Sequence, residues 1–101
     1  MLRIKIHKSY RKIVAVSDSE LIGKKFVEDN LQLDLQEDFY GKDEVNEEKA
    51  IEIMMAENSA DATFNIVGGK SIQAAIKAGI IKEGEHSIIK IQGIPHALGL
   101  L

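Results

Sequence analysis

Gly68-Gly69-Lys70-Ser71 is the segment whose residue types come nearest to a catalytic motif, because glycines ahead of Lys-Ser are how phosphate loops offer backbone amides and an ammonium to a nucleotide. The full motif requires a glycine five positions before Gly69. Phe64 stands there instead, so no loop is long enough to wrap a triphosphate, and nucleotide hydrolysis is disfavoured. What remains is a helix start whose unpaired amides, with Lys70 nearby, suit one phosphate, sulfate or carboxylate, or equally a plain tight turn.

The three histidines, His7, His86 and His96, form no HxH or HExxH spacing. A metal site would have to be assembled from distant parts, such as His7, His96 and Asp38, and nothing in the spacing favours one. The chain has no cysteine, which excludes disulfides, thiolate zinc sites and cysteine nucleophiles. It also has no Gly-x-Ser-x-Gly elbow to frame a serine nucleophile. The carboxylate pairs Glu37-Asp38 and Glu47-Glu48 have structural explanations on a turn and at a helix start. The reading leans away from an enzyme, with no catalytic residues and no cofactor or metal.

Ile94-Pro95-His96 is the most unusual short segment. The only proline fixes its own φ and biases Ile94 toward extended geometry, so His96 is held in a definite direction. Such an imidazole can bond to a phosphate, stack on a base, or cap the sheet through a backbone carbonyl.

The elements that must position these groups follow from periodicity. Leu2, Ile4 and Ile6 alternate with Arg3, Lys5 and His7, predicting a strand with one buried face, and a second strand follows at 13–16 after a connection through Lys8-Ser9-Tyr10-Arg11. Ser17-Asp18-Ser19-Glu20 has capping-box spacing and predicts a short helix with Leu21, Ile22 and Phe26 inward. Leu31, Leu33 and Leu35 predict a strand, residues 37–42 a loop, and Asn46 the N-cap of a helix from Glu47 to about Glu57. Met54 and Met55 lie on that helix's apolar stripe, as ordinary core or as an adaptable partner surface. Residues 62–67 predict a buried strand leading through Gly68-Gly69 into a helix stopped by Gly79, with Ile80 folding back at its end. A polar turn at 82–85 and a last strand at 87–91 follow. The expected fold is α/β (α+β): one domain over residues 1–101, with a mixed sheet of four to five strands and about three helices, in the order β-β-α-β-α-β-α-β.

At 101 residues, 45% hydrophobic and 29% charged, the chain can bury a core without metal or disulfide. The opening MLRIKIHKSYRK has no continuous apolar run, so neither a signal peptide nor a membrane span is expected, and the protein reads as cytoplasmic. Its net charge of −3 hides a division. Residues 1–27 carry seven Lys/Arg against two acids, residues 28–61 two against twelve, and residues 62–101 four against two. A basic first third suits a phosphate backbone or an acidic partner, unless the acidic middle neutralises it within the fold.

IKIHK in the first strand, EDFYG after the leucine strand, Val67-Gly68 before a helix with Ala75-Ile76 and Gly79, and the ending IQGIPHALG together resemble the archaeal domain-of-unknown-function family 424. Gly93-Ile94-Pro95-His96-Ala97 is the most specific piece. Leu98 stands where a polar residue is expected. The resemblance implies a small single-domain archaeal protein, cytoplasmic and without an assigned activity, and it supplies no site residues.

Two readings result. The first is a non-catalytic binding module presenting Lys5, His7, Lys8, Arg11 and Lys12, with Lys70 and His96, to RNA or a translation-related ribonucleoprotein surface. The second is a small-ligand or anion site, or an enzyme, formed where Tyr40, Gly68, Gly69, Lys70, Pro95 and His96 meet in one pocket. No membrane partner is expected, and a homo-oligomer has no support in the sequence.

Overall fold

The structure is a computed structural model describing residues 1–82, 84 and 88–100, and of residues 98–100 the backbone. Its elements are β1 (Leu2–His7), β2 (Ile13–Asp18), a 3-10 turn (Ser19–Leu21), β3 (Lys25–Glu28), β4 (Leu31–Asp34), α1 (Glu37–Tyr40), β5 (Glu44–Val45), α2 (Glu47–Ser59), β6 (Thr63–Val67), α3 (Gly69–Lys77), β7 (Ile89–Ile91) and β8 (Ile94–Leu100). The class is α+β with three helices, as expected. The sheet is larger than expected: six strands in the order β5-β1-β2-β6-β8-β7, with β3-β4 as a separate hairpin. Among the described residues only β2 and β6 pair in parallel.

Alternation along the central strands makes two cores. Leu2, Val14, Val16, Phe64, Ile66 and Ala97 face α2 and α3, meeting Met54, Ile72 and Ala75. Ala15, Val67 and Ile91 face the other way, onto Leu33, Leu35 and Tyr40 from the hairpin and α1. The molecule is thus three layers deep, and the strands between the layers read as nearly continuous apolar runs. No helix among the described residues is long and apolar enough to cross a membrane.

Several expectations hold in detail. Asn46 Oδ1 accepts from the Lys49 amide at 2.8 Å and caps α2. Gly79 takes φ +79° after α3, where the Ile80 amide donates to Ala75 O at 2.9 Å and the Gly79 amide to Ile76 O at 3.0 Å, the paired bonds of a Schellman end.

Others do not. The helix expected from Ser17 is a single 3-10 turn, and no side-chain cap forms at its start. Strand β2 instead runs through Asp18, because pairing with β6 continues to Ser17–Val67 and outweighs the local capping signal. The segment 37–42, expected as a loop, contains one helical turn that turns Tyr40 inward and ends at Gly41. The last sheet strand is β8, joined to β7 by Gln92-Gly93, both at positive φ as a two-residue hairpin requires. Ser87, the expected start of the preceding strand, lies outside the described residues.

The end of β2 is locked to the start of α3. Asp18, 5% exposed, accepts from the Ser71 amide and hydroxyl, both at 2.8 Å, and from the Lys70 amide at 3.2 Å. The buried carboxylate is held by three donors and by the positive end of the helix. Gly68 permits it: at φ +104° it takes a conformation costly for other residues, and a Cβ there would run into the Asp18 carboxylate. Asp18→Ala would leave those donors buried without a partner and should cost about 2 to 3 kcal/mol. Asp18→Asn keeps an acceptor and should cost less. Urea midpoints check this, and an unchanged midpoint for Asp18→Ala would show that the lock contributes nothing.

Candidate nucleic-acid interface

The basic row of β1 is hydrogen-bonded to α1 and the residue after it, with Lys5 still exposed. Arg3 Nη1 donates to Gly41 O at 2.9 Å, Lys5 Nζ to Asp38 O at 2.8 Å, and His7 Nε2 to Phe39 O at 2.7 Å. These are carbonyls at the end of α1, which a short helix cannot satisfy internally and which attract positive charge. His7 also stacks on Phe39, with ring centroids 4.6 Å apart, and Arg3 lies 3.4 Å from the Glu37 carboxylate. Strand β5 pairs Glu44 opposite Arg3. The acidic middle of the chain therefore lies directly against the basic first strand. Lys5 and His7 both bond to carbonyls of α1, His7 partly buried and Lys5 exposed.

The remaining basic residues sit elsewhere. β1 and β2 pair as far as His7–Ile13, so residues 8–12 form a tip beyond the ladder. There Tyr10 is fully exposed, with Lys8 and Arg11 on either side. Lys8 makes no hydrogen bond or ion pair among the described residues. Arg11 Nε donates to Asp61 O at 3.0 Å while Nη2 lies 3.5 Å from Asp61 Oδ1, and Lys12 Nζ lies 3.3 Å from Glu57. Ser9, Tyr10, Arg11, Lys12, Ala60 and Asp61 line an open surface depression.

Among the described residues no hydrogen bond or ion pair joins Tyr40, Lys70 and His96 to one another. Tyr40 is buried, its hydroxyl donating to Asn65 Oδ1 at 3.2 Å, and burial pushes its pKa up to about 12. Lys70 Nζ reaches Glu20 at 3.1 Å. Glu20's own backbone amide, and then Lys70, hold that carboxylate below its ordinary pKa. Of the amides in Gly68-Gly69-Lys70-Ser71, those of Lys70 and Ser71 donate to Asp18, whose carboxylate takes the place of a bound anion there. Pro95 sits in β8 ahead of the β6 pairing, which begins at His96–Val67, so its missing N–H breaks no ladder bond to β6. Its carbonyl accepts from the Gly68 amide at 2.9 Å. His96 is half-buried, its two ring nitrogens have no hydrogen-bond partner among the described residues, and desolvation lowers its pKa. His86 lies outside the described residues. Among those described, no three His, Asp or Glu side chains gather as a metal would require.

The comparisons agree with this architecture. The sequence matches the family described as "Protein of unknown function (DUF424)" over residues 6–100. The chain belongs to that family. A solved structure, that of an uncharacterised conserved protein from Methanopyrus kandleri, superposes with a TM-score of 0.83 at 20% identity, covering 95% of this chain and 87% of that one. At that identity the likeness shows that the DUF424 fold is shared. No curated protein matches the sequence.

Sequence reasoning missed Asp18, Tyr10 and Asp61 as members of the two polar centres. Asp18 and Asp61 meet their partners across about fifty residues, and no local pattern shows that. Tyr10 was visible as an aromatic in a polar connection.

The phenol of Tyr40 provides a check on the site's interior. Its folded pKa lies above the ordinary value of 10.0, so the folded state holds that proton longer than the unfolded chain does. Stability should accordingly fall as pH rises from about 10 to about 12. Phenolate absorbance should show one of the two tyrosines ionising only near pH 12, and Tyr40→Phe should abolish that late phase. Ionisation of the Tyr40 ring near the ordinary value would contradict the burial.

Proposed function

We propose that this protein is a non-catalytic RNA-binding module of the archaeal cytoplasm, acting on RNA or a translation-related ribonucleoprotein through the tip of the β1–β2 hairpin. The reading centres the basic surface expected from the sequence on Lys8, Arg11 and Lys12 at the tip, where Arg11 and Lys12 also pair with Asp61 and Glu57. Lys5 and His7 are committed to α1.

The observation that carries it is the bare ring of Tyr10 between Lys8 and Arg11. An aromatic ring with nothing packed on it gains by stacking on a base, and cations beside it hold the adjoining phosphates. Unpaired bases suit such a tip better than a duplex, whose faces are stacked away. No observation of comparable weight favours the pocket reading built on Tyr40, Lys70 and His96.

Filter retention of a labelled pool of single-stranded RNA, measured across a salt series, tests the proposal. Affinity should fall linearly on logarithmic axes as salt rises. Tyr10→Ala should weaken binding about tenfold or more, the usual size of one lost stacking contact, and Lys8→Glu should weaken it and flatten the salt slope. Lys90→Glu, on β7 at the opposite edge of the sheet, should change little. Binding that ignores salt, or a Tyr10→Ala protein that binds like the wild type, would sink the reading.

A further inference from the structure

Two of the three cations at the tip are already held by acids of the fold. Arg11 Nη2 lies 3.5 Å from Asp61 Oδ1 and Lys12 Nζ 3.3 Å from Glu57 Oε1, whereas Lys8 has no such partner among the described residues. Both acids come from the end of α2: Glu57 lies in its last turn, and Asp61 directly follows its C-cap, Ala60. The two pairs differ in their surroundings. The Asp61 side chain is 95% exposed and can turn into water, while that of Glu57 is only 18% exposed and stays close to Lys12. A phosphate arriving at Arg11 or Lys12 therefore meets a carboxylate already in the place it would take.

We infer that Glu57 and Asp61 restrain the tip, each occupying one cation with a carboxylate that an RNA phosphate must displace. The inference rests on the RNA-binding reading and deepens it by naming how that site is regulated. A carboxylate and a phosphodiester make the same charge-assisted bonds to an ammonium or guanidinium group, so the two compete for it. Exposed ion pairs of this kind are weak, and each should lower affinity by only about two- to fivefold. Lys12 is the more restrained, because its partner is better shielded from water and its pair less screened. Lys8 and Tyr10 stand open for first contact, and the two withheld cations join where the RNA brings phosphates enough to replace both acids. The restraint also flattens the response to salt. A phosphate neutralised by a free cation releases a counterion, whereas one that displaces a carboxylate leaves that carboxylate to gather a cation of its own.

Fluorescence anisotropy with a labelled single-stranded uridine decamer tests this on the full chain. At low salt Glu57→Gln should bind about fivefold more tightly than the wild type and Asp61→Asn about twofold. Each should steepen the logarithmic salt slope by up to about 0.7. Glu48→Gln, which removes one acid charge at the other end of α2, should change neither quantity measurably. In an Arg11→Met background, Asp61→Asn should bring no gain. The amide variants should keep urea midpoints close to that of the wild type, because exposed pairs add little to stability and the amides preserve side-chain size. An equal gain in Glu48→Gln would overturn the inference by showing that net charge alone acts. Wild-type affinity in both Glu57→Gln and Asp61→Asn would also overturn it and leave the RNA-binding reading standing. A gain from Asp61→Asn that persists without Arg11 would overturn the part assigned to that pair. Failure of the wild type and every variant to bind at low salt would overturn both readings.

Discussion

The parallel register of β2 against β6 is the constraint on which the rest depends. Ile13 pairs with Thr63 and Ser17 with Val67, a constant offset of 50 residues. Carried one step past the C-terminal ends, that offset sets Asp18 beside Gly68. Carried two steps back from the N-terminal ends, it sets Arg11 beside Asp61. One strand pairing therefore creates both the lock at one end of the sheet and the depression at the other. Both strands are buried on both faces between the two cores, so a register slip of one residue would exchange the faces of β2 and undo both ends together.

In open α/β sheets ligands usually bind beyond the C-terminal ends of parallel strands, where helix N-termini supply positive potential. Here that position is consumed. Asp18 fills the N-terminus of α3 with a carboxylate from the protein itself, and Gly68 leaves room for it. The opposite end stays open because the ladder stops at His7–Ile13 and the chain continues as a tip. Thr63 ties that tip to the sheet through its amide and hydroxyl, donating to Lys12 O at 2.9 and 3.3 Å. Residues 8–12 are thus anchored at their base and exposed beyond it.

Much of the frame was legible because it is local. Asn46 as a cap, Gly79 with Ile80 as a helix stop, and the alternation of Leu2, Ile4 and Ile6 are written within a few residues of the structures they specify. The 17–20 segment misleads for the same reason. Its capping-box spacing is genuine, but the partner that decides its conformation is β6, nearly fifty residues away. The basic row of β1 misleads differently. Alternation correctly places Arg3, Lys5 and His7 on one face, yet composition cannot reveal that α1 ends against that face with its carbonyls unsatisfied. A charged residue on a strand is read as meeting solvent unless the partner is known.

The same distinction explains why Asp61 escaped notice. In the sequence, Asn58-Ser59-Ala60-Asp61 is an unremarkable polar boundary between helix and strand. Only the backbone makes the residue unusual, by giving it positive φ at a helix C-terminus. Glycine at Gly68 and Gly79 meets a positive-φ requirement with the residue best suited to it, and both positions serve the fold. Asp61 meets a similar requirement with a short polar side chain, which tolerates the left-handed region better than most residues with a Cβ. Where sequence and backbone agree, packing accounts for the choice. At Asp61 the same residue that ends α2 also holds the tip, since its carbonyl accepts from Arg11 Nε at 3.0 Å and its carboxylate lies 3.5 Å from Arg11 Nη2.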